Sequence, residues 1–150
     1  MDVIVDQEIC FHPEDSKTNL KIPFTLNHDY QRLVIHCAYA PKNVEDMVLA
    51  ESEVKKGIEK YIPKEYRAGY GDWKSYLPVL NFVTFSLDHE GEFLGCAHRH
   101  APIQDHTISA DSSTPGFLAH AVKAGQWIAV LNVHAVVSPS VKYHLQITAA

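Results

Sequence analysis

The sequence predicts a mainly β fold: an antiparallel, jelly-roll-like β-sandwich with one inserted amphipathic α-helix. Three observations carry that expectation. Short apolar segments alternate with polar residues and recur between Pro, Gly, Asn and Asp turns. Only one segment, Asn43 to Ile62, changes to a helical period. Strands and helices do not alternate regularly, which disfavours a doubly wound parallel sheet. At 150 residues the chain fits one sandwich domain that needs no disulfide staples.

Taken in order, Val3 to Phe11 reads as an edge strand, closed by His12-Pro13-Glu14-Asp15. Leu20 to Leu26 contains Pro23, which restricts it to an edge. Arg32 to Ala40 alternates cleanly, with Leu33, Ile35, Cys37 and Tyr39 on one face. Asn43 is the expected helix N-cap, and Met47, Ala50, Val54, Ile58 and Tyr61 form an apolar stripe up to Pro63. Lys64 to Pro78 is a loop rich in Tyr, Gly and Trp.

Leu80 to Leu87 and Phe93 to His98 read as a hairpin around Asp88-His89-Glu90-Gly91, and Gly95 suggests a close backbone approach. His106 to Ala110 is a short strand. Ser113 to Val137 reads as loop, short strand, turn and long core strand, with Trp127 buried at the start of the last. Gly116 is expected at positive φ, where a side chain is not tolerated. Tyr143 to Thr148 closes the fold.

Composition excludes several functions. A net charge of -5 lacks the basic face that a nucleic-acid partner requires. No apolar stretch reaches spanning length, so no membrane partner is expected. Cys10, Cys37 and Cys96 show no CxxC spacing and fit a reducing, cytoplasmic setting. GxSxG, GxGxxG and GxxxxGK[ST] are all missing, so no catalytic residue and no nucleotide cofactor is assigned.

Two groups of residues could carry recognition or chemistry. Tyr66, Tyr70, Trp73 and Tyr76 in the loop, with Arg99, form a candidate binding surface for a partner protein or a carbohydrate-like small molecule. The other reading is that these aromatics cap one end of the sandwich. Ten histidines make a divalent metal the one cofactor worth testing. His98 and His100 would point to one side of an extended segment, with His106 and His120 as further ligands. The reading against that site places the histidines in a polar loop.

His36 and His134 read as hydrogen-bonded core or sheet-face residues, and His12, His28, His89 and His144 as turn or strand-end residues. Asp88, Glu90, Asp105 and Asp111 read as solvated turn carboxylates. An edge strand such as Val3 to Phe11 leaves homo-oligomerisation open.

The run NFVTFSLDHEGEFLGCAHRH, then TISADSSTPGF, KAGQWIAVLNVHAVV and KYHLQI, resembles the β-sandwich domain N-terminal to some metallohydrolases of the PHP (polymerase and histidinol phosphatase) superfamily. The matching positions are Asp88 and Gly91; Gly95, His98 and Arg99; Thr114 to Phe117; Gly125 and Trp127; and Tyr143. The resemblance implies a non-catalytic accessory or binding domain, either free-standing or serving a hydrolase domain. In such proteins the catalytic domain follows the sandwich and opens with its own His-x-His, about where this chain stops. His98-Arg99-His100 lies inside the sandwich and lacks the later ligands, so hydrolase activity does not carry over. The alternative class is a small metal-dependent enzyme built around His98 and His100.

Overall fold

The computed structural model describes every residue from Met1 to Ala150. Eight strands run as β1 (Asp2–Phe11), β2 (Thr18–Leu26), β3 (Arg32–Ala40), β4 (Phe82–His89), β5 (Glu92–Ala97), β6 (Ile103–Ser109), β7 (Gly125–Ala135) and β8 (Val141–Ala149). They form two antiparallel sheets of four strands, ordered β1-β8-β3-β6 and β2-β7-β4-β5. Every consecutive pair of strands except β4–β5 crosses between sheets, and the two orders interlock as the paired Greek keys of a jelly roll. The expected fold class is therefore observed.

Alternation explains the core. Leu33, Ile35, Cys37 and Tyr39 of β3 face inward with Tyr143, Leu145 and Ile147 of β8. They meet Val83, Phe85 and Leu87 of β4 and Trp127, Ala129, Leu131 and Val133 of β7 across the sandwich. β4 is buried on both faces, because Thr84 and Ser86 on its outer side are covered by hydrogen-bonded neighbours. Trp127 is fully buried, stacked on His89 at 3.9 Å and on Phe24 at 6.1 Å. Its indole N–H donates to the Lys123 carbonyl at 3.0 Å.

Several expectations need correction. The α-helix is α1 (Met47–Tyr61), and its N-cap is Asp46 rather than Asn43. The Asp46 carboxylate accepts from the Val48 and Leu49 amides at 3.0 and 3.2 Å, while Asn43 is held extended by a bridge to Leu80. The loop after the helix contains two 3-10 helices, Lys64–Tyr70 and Trp73–Tyr76.

The β4–β5 turn is two residues, Glu90 and Gly91, both at positive φ as a type I′ hairpin requires. His89 therefore belongs to the strand and is buried. Asp105 lies within β6, which begins at Ile103. No short strand forms between Gly116 and Gly125; Phe117 and Val122 make isolated bridges instead.

Gly95 and Gly116 touch each other's backbone surroundings. Gly95 has φ +135° and a Cβ there would collide with the Gly116 carbonyl oxygen. Gly116 has φ +104°, and its Cβ would sit 3.0 Å from the Cys96 oxygen. Both positions exclude a side chain, as the sequence suggested.

Candidate functional site

The segment between β3 and β4 is the largest departure from a plain sandwich. Its base is tied firmly. Val44 is buried and its amide donates to the Val79 carbonyl at 2.8 Å. The fully buried Asn81 side chain donates to Pro41 and Ser138 and accepts from the Val137 and Ser138 amides. Lys42 Nζ donates to the Tyr39 hydroxyl at 3.0 Å and the Asn81 carbonyl at 2.9 Å.

Above that base the packing thins. Ala50 is the only buried residue of α1, and the helix makes its main contact with the 3-10 turn Trp73–Tyr76. Val54, Gly57, Ile58, Tyr61, Ile62 and Tyr76 line an apolar groove of about 290 Å³. Arg67 closes the helix C-terminus by donating to the Ile62 and Glu59 carbonyls at 3.0 and 3.1 Å.

Tyr66 and Tyr70 are 63% and 54% exposed, and Tyr76 is 40% exposed. Trp73 is half-buried. Arg99 stands apart, its guanidinium donating to the Pro115 carbonyl in the turn that leads to Gly116.

The four candidate metal histidines occupy three different places. His98 and His100 lie against the Phe82 ring at 5.2 and 4.2 Å, and His98 also meets the His134 ring at 5.3 Å. His106 is fully buried; Nε2 pairs with the Gln104 amide oxygen at 3.0 Å, while Nδ1 has no partner. His120 pairs with His89 at 2.8 Å beside Trp127. No group of three or more His, Cys, Asp or Glu side chains is arranged to hold a metal ion. Burial pushes His106 and His89 below the usual histidine range, aided by the nearby Arg99 for His106 and by His120 for His89.

The outer face of β1-β8-β3-β6 carries an arrangement that sequence reasoning missed. Asp6 on β1 accepts from His144 Nε2 on β8 at 2.6 Å. Asp105 on β6 accepts from His36 Nδ1 on β3 at 2.7 Å. The two imidazole centres are 6.2 Å apart with planes at 70°. Beside them lies a depression of about 210 Å³ floored by Ala38 and Ala40 and walled by Glu8, Ile103, Lys142 and His144. Alternation places His36 and His144 on outer faces, but only the register brings them together. No linear spacing encodes a pairing between residues 6 and 144 or 36 and 105.

No protein-family model matches the chain, and no curated protein matches it in sequence. Among solved structures, the STIV MCP is similar over 97% of this chain, at 13% identity and a TM-score of 0.40. This chain spans 48% of that protein's length. A Sulfurospirillum deleyianum protein is similar over 96% of this chain and 98% of its own, at 11% identity and a TM-score of 0.34. Likenesses this distant carry no functional argument, and the jelly-roll assignment stands on strand order. No helix is long and apolar enough to cross a membrane.

Proposed function

We propose that this protein is a non-catalytic binding domain that docks a partner protein through the insertion between β3 and β4. One observation carries the reading: Tyr66, Tyr70 and Tyr76 are exposed on an insertion whose base is tied by Asn81, while the apolar side of α1 is left half-covered. Tyrosine and tryptophan dominate the energetic centres of protein interfaces, because they supply large contact area at low entropic cost. Exposed aromatics grouped on one insertion have the composition of such a centre. The PHP-associated resemblance names the first partner class to examine, a metallohydrolase domain. The unpaired cysteines fit a cytoplasmic setting.

The test is a quantitative pull-down comparing wild type with Tyr66→Ser/Tyr70→Ser/Tyr76→Ser. The triple variant should fold normally and lose a protein that the wild type retains. Identical capture by both would remove the insertion from recognition.

A further inference from the structure

We propose that His36 and His144 form an open divalent-metal site on the outer face of the first sheet, for an ion of the zinc, nickel or copper class. Asp6 and Asp105 act there as positioning residues. The proposal is independent of the docking surface, which lies on the insertion between β3 and β4.

Strand order carries the argument. Asp6, His144, His36 and Asp105 stand on β1, β8, β3 and β6, which is the order of those strands across the sheet. Each carboxylate can only accept, so His144 Nε2 and His36 Nδ1 carry the protons. The lone pairs are then on His144 Nδ1 and His36 Nε2. The two nitrogens of an imidazole point to widely divergent sides of the ring. With the outer nitrogens bonded to carboxylates of the edge strands, the inner two are left on the sides of the rings away from those strands. Neither inner nitrogen has a hydrogen-bond partner in the protein.

Ring centres 6.2 Å apart must close by about 1 Å for both inner nitrogens to reach one tetrahedral ion at about 2.0–2.1 Å, a shift that rotation of these partly exposed side chains supplies. Neutral imidazole is the donor that zinc, nickel and copper favour. A carboxylate behind each imidazole fixes its tautomer and raises its basicity, as in metal sites generally. Both histidines stand on the central strands β8 and β3, so the pair is positioned by the sheet and not by a loop.

The remaining coordination positions have room. Ala38 and Ala40 leave the adjoining depression, which His144 itself borders. Glu8, the register partner of His144, rims the same depression and is the nearest further carboxylate along the ladder. Two protein ligands leave the ion open to water or to a small anionic ligand.

Zinc titration of the full, untagged chain by calorimetry tests the site. Wild type should bind one Zn²⁺ per chain. His36→Ala and His144→Ala should each abolish that event, and Asp6→Ala and Asp105→Ala should weaken it by about 10–100-fold. His98→Ala/His100→Ala should leave it unchanged. Copper(II) bound in place of zinc should show nitrogen hyperfine coupling that His36→Ala reduces. All these side chains sit on the solvent-facing side of the sheet, and unchanged melting would confirm that the variants fold. Zinc affinity in His36→Ala/His144→Ala equal to wild type would overturn the proposal, as would a wild type that binds no zinc.

Discussion

At the scale of single residues, burial and partner geometry decide what each side chain is worth. Trp127 is fully buried between Phe24 and His89 with its N–H satisfied, so Trp127→Ala removes both packing and stacking. The expected cost is about 3–5 kcal/mol, a large share of a typical domain's stability. A urea midpoint near wild type would contradict it. His106 supplies a second prediction. Burial lowers its folded pKa from 6.5, so below that value the unfolded chain takes up a proton that the folded chain resists. Stability should therefore be intact above pH 6.5 and fall as the pH drops through the folded pKa. The lowered carboxyls Asp6 and Asp29 act only below their ordinary value of 3.8, so they do not mask this window. His89 contributes with the same sign. Urea denaturation at pH 7.5 and 5.5 should show the loss, and His106→Gln should shrink the pH slope whatever it does to absolute stability. Trp127 and Gly116 were legible in the sequence because an apolar run and a Pro-Gly turn are local signals. His89 and Asp105 were not, because a one- or two-residue error in a strand end turns a buried or paired side chain into a turn residue.

At the scale of elements, the inserted helix shows what periodicity can and cannot say. The stripe Met47, Ala50, Val54, Ile58 and Tyr61 correctly indicates a helix, since those residues recur every three or four positions. Periodicity does not say what covers the stripe, and here Met47 and Tyr61 remain exposed. The start moved from Asn43 to Asp46 because two capping residues compete, and the bridge to Leu80 keeps Asn43 extended. Asp46→Ala should cost about 1 kcal/mol of helix stability. Because α1 makes its main contact with the neighbouring 3-10 turn, the loss should appear as faster hydrogen exchange within Met47–Tyr61 while β-strand amides keep their protection. Equal loss of protection in the strands would mean that helix and sandwich unfold as one unit. The same loose coupling leaves the Tyr66–Tyr76 surface free for contact while the Asn81 network holds its base.

At the scale of the molecule, eight strands were largely legible as segments, and their pairing was not. The sequence order of β1, β2 and β3 says nothing of β8 lying between β1 and β3, because that pairing joins residues at opposite ends of the chain. The histidine–carboxylate row follows from the same distant register, which is why the candidate site was invisible until the sheets were assembled. The arrangement has a mechanical consequence. β8 supplies the fully buried Leu145 and Ile147 and the almost fully buried Tyr143, and it donates ladder hydrogen bonds to both neighbours. Without it, β1 would have no strand partner, and β3 would keep only β6. An isolated pair of strands is marginal at best in water. The opposite sheet would lose the layer that covers Trp127, Leu131 and Phe85, which belong to one continuous core with Tyr143 and Ile147. A chain ending at Ser138 should therefore fail to fold cooperatively, showing no sharp thermal transition and collapsed amide dispersion by NMR, although it retains seven of the eight strands. Adding a synthetic peptide covering Val141–Ala149 in trans should restore dispersion, because the vacant position between β1 and β3 has both ladder partners and an apolar face. A truncated chain that melts cooperatively on its own would show that the second sheet and β3–β6 form a self-sufficient unit, and that the register across β8 matters less than this topology implies.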